Sequence, residues 1–393
     1  MSADRIRDSI ESANTPLVYK SGGTLAIAAP EHPFPTVAYR VATRALVGMQ
    51  KEALIAQSSD DVIWRLVCDE GPYLNGTDLA PPPLAFFSAG MASSIAAGIL
   101  SCARQHQVDI QDLEVIQDNL YTMEGSAIRG TMIAGALPVE LSVAARVSGG
   151  DRELNDIVYE ALAKSPLDAM MRDELVDTFS IQRNGDAIAP AMVAVSSQAT
   201  PDNPAKLFSQ HRYAEGDQEI LDAVSKLEAT ESVFDASHGA GAAMKDEQKR
   251  QLQIRSRVTV REDGIRSIDV QIFKPIGSTF RFLSDDSAAF GGLGRAPSGL
   301  AYASAGIAFC FMTQLGRYAG IVKKNLGSYG IVQDTVFDTE NGITYPIDTH
   351  SYLETTEDDT SAQQFIDMGE QTCFLHGACR MSNKTRIKIA ASQ

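Results

Sequence analysis

The chain has 393 residues, 44% hydrophobic and 21% charged, with a formal net charge of −16. Those proportions exclude a disordered chain, a collagen and a coiled coil. So acidic a surface repels phosphate backbones and anionic lipid, so neither nucleic acid nor a membrane is expected as a partner. Five cysteines, an odd number, cannot form a disulfide scaffold. Residues 1–14 are charged and polar rather than leader-like, so a cytoplasmic location is expected.

After a tail over residues 1–16, period-2 alternation predicts a strand over 36–47. A loop rich in Gly, Asp and Pro follows over 69–83, and then a long uncharged helix over 84–107. Residues 79–103 carry no charge, but three prolines and many Ala, Gly and Ser make a poor membrane span, so a buried helix is predicted. Strands over 114–118 and 139–147, a helix over 153–171 and a strand over 178–183 complete this half. Residues 188–250 read as a connector: a Pro/Ser/Asn-rich linker (189–205), an amphipathic piece (218–229) and a Gly/Ala/charge run (235–249) that contains His238. The second half repeats the order. Strands over 254–262 and 267–273, a loop over 285–299 and an uncharged helix over 300–324 come first. Strands over 331–337 and 347–353, a helix over 362–378 and a strand over 386–390 follow.

The residues repeat as well as the order. At an offset of 216, residues 64–124 match 280–340 without a gap and 15 of the 61 positions are identical, including Arg65/Arg281, Asp69/Asp285, Gly76/Gly292, Gly90/Gly306 and Asp118/Asp334. The match resumes at an offset of 208 with Pro138/Pro346, Leu167/Leu375 and Arg172/Arg380. A period near 210 is too long for a solenoid and predicts a duplicated α+β domain, with helices packed on a sheet. The expected division is a tail (1–16), a first domain (17–187), a connector (188–250) and a second domain (251–393). Small residues on the first uncharged helix (Ala89, Gly90, Ala92, Ser93, Ala96, Ala97, Gly98) allow close packing, either against the other copy or against a sheet.

The copies differ where chemistry could sit. Ser94 aligns with Cys310, and Ser165 with Cys373. Cys310 lies among Ala, Phe and Met, where a cysteine also serves as packing; its aligned partner Cys373 raises the pair above that reading. Cys68, Cys102 and Cys379 align with Ser284, Tyr318 and Met171 and read as packing. His376, one turn after Cys373, could hold a thiolate as an ion pair or serve as a cap. Cys373, His376 and Cys379, with His350, do not converge as zinc ligands, so no metal is expected. The run Gly291-Gly292-Leu293-Gly294 lacks the Walker lysine and the Rossmann spacing, and reads as a turn.

Asp285-Asp286, Gly291-Gly292, residues 296–302, Cys310 and residues 371–375 together resemble the OsmC/Ohr family of thiol-dependent peroxidases. A weaker version runs through Asp69-Glu70-Gly71-Pro72, Asn75-Gly76-Thr77-Asp78, residues 81–84 and Ser165-Pro166-Leu167. The resemblance implies an α+β fold of two OsmC-like domains in tandem, forming an intramolecular pseudo-dimer with one cysteine site and one serine site (Ser94, Ser165). It also implies reduction of an organic hydroperoxide, Cys310 attacking and Cys373 resolving, with a dithiol as reductant and no cofactor. A thiolate is needed, and a nearby cation must stabilise it. The family's helix glutamate falls near Ala301, with Ala85 in the other copy, so neither copy carries it. The activating arginine stays open among Arg40, Arg44, Arg257 and Arg261, with Arg40 aligned to Arg257. The absent carboxylate leaves two alternatives: a hydrolase or lyase using the cysteine site on a carbonyl, cyclic or thioester substrate, and a non-catalytic protein binding a small molecule between the copies. Whether the pseudo-dimer pairs again as a homodimer stays open.

Overall fold

The computed structural model describes residues 9–21, 27–33, 35–58, 60–148, 150–210, 222–229 and 248–391. His238, residues 1–8 of the tail and residues 218–221 of the amphipathic piece lie outside them, as does most of the 235–249 run. Helix α1 (Ile10–Ala13) precedes β1 (Val18–Lys20), β2 (Thr36–Ala45), β3 (Lys51–Gln57) and β4 (Ile63–Cys68). The long helix α2 (Pro83–Gln105) leads to β5 (Ile110–Gly125), β6 (Ile133–Ala136), β7 (Glu140–Val147), α3 (Asp151–Ala163), α4 (Pro166–Arg172) and β8 (Thr178–Arg183). The middle supplies β9 (Asp186–Ile188), β10 (Ala194–Val195), α5 (Pro204–Gln210) and β11 (Val224–Glu228). The second half runs β12 (Gln248–Val260), β13 (Arg266–Lys274), β14 (Ile276–Ser284), α6 (Gly299–Ile321), β15 (Ser328–Asp338), β16 (Ile343–Thr344), β17 (Asp348–Glu354), α7 (Asp359–Thr372), α8 (Phe374–Cys379) and β18 (Arg386–Ala391).

Neither sheet belongs to one half of this α+β chain. One follows the order β1-β4-β3-β2-β15-β17-β8-β10, the other β11-β14-β13-β12-β5-β7-β18. In each, the strands before one long helix pair with the strands after the other. The registers correspond: Arg40 stands opposite Asp334 where β2 meets β15, and Arg255 opposite Asp118 where β12 meets β5. β11, from the stretch expected as connector, pairs with β14 as β1 pairs with β4.

α2 and α6 pack on each other between the sheets, and the reason is glycine. A Cβ on Gly90 would lie 2.4 Å from the Gly299 carbonyl oxygen, and one on Gly306 would lie 2.5 Å from the Phe87 nitrogen. Only a hydrogen fits at either position. Other faces of α2 meet β5, β12 and β13, so its small residues serve both kinds of packing left open by the sequence. Phe86 reaches across to Phe282 and Phe309, with ring centroids 5.2 and 5.3 Å away; each such ring contributes about 1.5–3 kcal/mol by leaving water. Both helices are long and apolar enough to cross a bilayer, but here they are mostly buried inside the protein.

The structure departs from the sequence expectations in several strands and in the two later helices. β3, β4 and β14 were not foreseen. In β3, Lys51 and Glu52 look like surface residues but are buried. Glu52 accepts from Arg65 at 2.7 Å and Arg44 at 2.6 Å. Burial alone would raise its carboxyl, but Arg65 and Arg44 outweigh that and hold it low. Breaking such a buried pair costs roughly 3–5 kcal/mol. The helices expected over 153–171 and 362–378 are each two helices. Pro166 cannot continue α3, and Ser165 caps α4 by accepting the Asp168 N–H at 3.2 Å. In the second half the break falls on Cys373, whose backbone is extended (φ −73°, ψ 122°).

Candidate active site

Cys310 sits midway along α6, and Cys373 at the break between α7 and α8. The fold brings the two thiols close enough to act on each other electrostatically. Burial, and then the Cys310 thiol, push the Cys373 thiol well up; the amides of His376 and Leu375 pull it down less strongly. Both side chains are buried, and Tyr121 from β5 lies beside both sulfurs.

Thr313, Gln314 and Arg317 follow Cys310 at i+3, i+4 and i+7, on one face of α6. That face closes a cavity of about 20 Å³ with Glu70, Tyr73 and Leu84 from the first half and Arg250 from β12. The volume is that of about one water molecule. Glu70 is held by a tightly tied loop. The Asp69 carboxylate accepts from the Glu70 N–H at 2.8 Å and from the Thr77 hydroxyl at 2.6 Å. Gly76 lets the loop close, because a Cβ there would lie 1.8 Å from the Glu70 carbonyl oxygen. Tyr73 donates its hydroxyl to Glu70 Oε2 at 3.3 Å.

The cavity concentrates charge away from water. Burial raises the Glu70 carboxyl, with Lys51 and Arg317 offsetting part of that. Burial lowers Arg317, while Glu70, Tyr73 and Cys310 favour its charged form. Arg250 is pushed down to about 10 by burial and by Arg317, so it stays a cation at neutral pH. Arg317 donates to Gln314 Oε1 at 3.1 Å. Its Nη2, and the Nε of Arg250, are buried without a hydrogen-bond partner among the described residues. Such donors are costly to leave unpaired. They can serve an oxygen-bearing group that enters beside the sulfur. Among the described residues, no three His, Cys, Asp or Glu side chains gather to hold a metal ion.

The basic residues expected from the sequence lie elsewhere. Arg40 makes a two-pronged bond to Asp334, at 2.8 and 2.7 Å. Its structural counterpart is Arg255, bonded in the same way to Asp118 at 2.9 and 2.7 Å, not Arg257. Arg257 is an exposed side chain paired with Glu114. Arg44 binds Glu52 and Arg261 pairs with Asp263. His376 is fully buried between Phe179 and Phe311, with ring centroids 5.4 and 5.3 Å away. Its Nε2 lies 3.8 Å from Asp177, and burial pushes the imidazole down to about 3. A neutral ring cannot pair with a thiolate as an ion. The residues that sequence reasoning missed are Glu70, Tyr73, Arg250, Thr313, Gln314 and Arg317. The helical spacing from Cys310 to Arg317 was the legible signal. No carboxylate stands at Ala301 or Ala85, but Glu70 brings one from the other half.

Ser94 and Ser165 line a separate cavity of about 350 Å³. Its walls carry the residues 216 positions away from those at Cys310. Gly98 stands where Gln314 does, Ser101 for Arg317, Ala97 for Thr313 and Ala289 for Tyr73. Asp286 takes the place of Glu70 and is held by Arg266 at 2.8 Å.

No family model matches the chain, and no curated protein matches it. Among solved structures, it is similar to an OsmC-like hydroperoxide resistance protein from Jannaschia sp. CCS1, at 22% identity over 33% of this chain and 85% of that one, with a TM-score of 0.22.

Proposed function

We propose that the chain is a cysteine-dependent peroxidase for an organic hydroperoxide, built as two fused OsmC-like domains that share one thiol site. The observation that carries this reading is the proximity of the Cys310 and Cys373 thiols, with the Arg317 cation on the same face of α6 as Cys310. A thiolate at Cys310 would have a counter-ion in Arg317, whose charged form the Glu70 carboxylate favours through space.

The thiolate of Cys310 attacks the terminal oxygen of the hydroperoxide. A sulfur–oxygen bond forms, the O–O bond breaks, and its electron pair leaves with the alkoxide, which takes a proton and departs as alcohol. Sulfur is oxidised by two electrons to sulfenic acid. The unpaired N–H groups of Arg317 and Arg250 would stabilise the charge that builds on the departing oxygen. Cys373 then attacks the Cys310 sulfur. The disulfide forms, the sulfur–oxygen bond breaks, and hydroxide leaves as water with the Cys373 proton. A dithiol reduces the disulfide by exchange.

Steady-state turnover of cumene hydroperoxide with dihydrolipoamide tests this. Cys310→Ser should lose activity, and Cys373→Ser should accumulate a sulfenic acid that dimedone captures. Undiminished turnover by Cys310→Ser would overturn the reading. The hydrolase or lyase alternative rests on the carboxylate missing at Ala301 and Ala85; a carboxylate supplied instead by Glu70 favours the peroxidase reading. Turnover of a thioester without dithiol consumption would favour the alternative.

A further inference from the structure

The cavity at Ser94 and Ser165 lies outside the peroxidase reading. At about 350 Å³ it is within the range of small-molecule sites. It is open because several large groups that fill the Cys310 site are small here, notably Gly98 for Gln314, Ser101 for Arg317 and Ala289 for Tyr73. We propose that it binds a neutral hydroxy-aromatic molecule, a phenol, whose ring takes the space of the Tyr73 ring and whose hydroxyl donates to Asp286.

Charge and shape carry the argument. Asp286 is ion-paired with Arg266, and Lys164 with Glu160 at 2.7 Å. Arg104 and Glu340 offset each other among the remaining lining groups, so no net charge draws an ion. Phe290 and Leu300 give an apolar wall, while Ser94 and Ser101 bring hydroxyls. The Cys310 site supplies the template: there a phenol, that of Tyr73, donates to the carboxylate of Glu70 at 3.3 Å. Asp286 offers the same acceptor with the phenol removed.

The test is binding of 4-methylphenol, with 4-methylbenzoate and benzylammonium as charged comparators, followed by ligand-observed NMR and calorimetry on the full chain. Gly98→Gln refills the cavity, and the site tolerates it: a Cβ on Gly98 meets its nearest neighbour, Ala161, at 3.6 Å. Ala289→Tyr refills it from an exposed position and guards against misfolding of the first variant. The expected result is binding of one phenol per chain, tenfold or more weaker for both charged comparators and in both variants, with melting temperatures unchanged. No binding of 4-methylphenol at millimolar concentration overturns the proposal, as does equal affinity in wild type and variants. The peroxidase assay is unaffected by either outcome, so the two readings stand or fall separately.

Discussion

Related positions of the two halves enclose about 20 Å³ beside Cys310 and about 350 Å³ beside Ser94. At the first, two buried thiols and a buried carboxylate stand with two half-buried guanidiniums. At the second, serines replace the thiols, Ser101 replaces Arg317, and the β2–β15 register puts Pro35 where β12 has Arg250. The same arrangement of helices and sheets surrounds both. The incompletely bonded arginines of the first carry a desolvation cost. They accompany the sulfur, and the proposed reaction gives them a part in its chemistry.

Altering either pocket breaks or sharpens this contrast. Cys310→Ser should reduce peroxidase turnover roughly a thousandfold or more, the effect of removing a nucleophile. The reciprocal pair, Ser94→Cys with Ser165→Cys in that background, should not restore it, because no guanidinium stands at Ser101. Restored turnover would show that position in the fold is enough. Gly306→Val should cost about 1–3 kcal/mol or more, read as a lower urea midpoint, because the added carbons meet the backbone of Phe87. Arg317→Met should slow the reaction about tenfold to a hundredfold at neutral pH, since the departing oxygen loses a cationic donor. Glu70→Gln should have the smallest effect on stability. Burial raises the Glu70 carboxyl, so the native state keeps a proton that the unfolded chain has lost. Stability then falls as pH rises from the ordinary carboxylate value to the raised one. The Gln variant lacks that slope, so urea midpoints should favour it at pH 7.5 and converge with wild type in acid.

The long helices and the central strands of both sheets were legible because their signals are local: charge-free helices and period-2 strands. β3 was hidden because Lys51, bonded to the Met49 carbonyl, and Glu52, paired with Arg65 and Arg44, imitate a surface segment though both are buried. The cysteines were legible as an aligned difference between the halves. Their neighbours were harder to find. Arg317 could have been read from its spacing to Cys310, but Glu70 and Arg250 arrive from distant strands and loops through the exchange of strands between halves. His376 was misread because helical spacing gives proximity and not burial; between two aromatic rings it is neutral.

The central claim is that Cys310 and Cys373 form one redox pair. Its most direct test is a titration of free thiols in the purified chain before and after one equivalent of cumene hydroperoxide, with the modified cysteines mapped by mass spectrometry. The account expects two thiols to disappear rapidly into a Cys310–Cys373 disulfide, leaving Cys68, Cys102 and Cys379 reduced. A Cys310 that stays reduced, or a disulfide that omits it, would contradict the account.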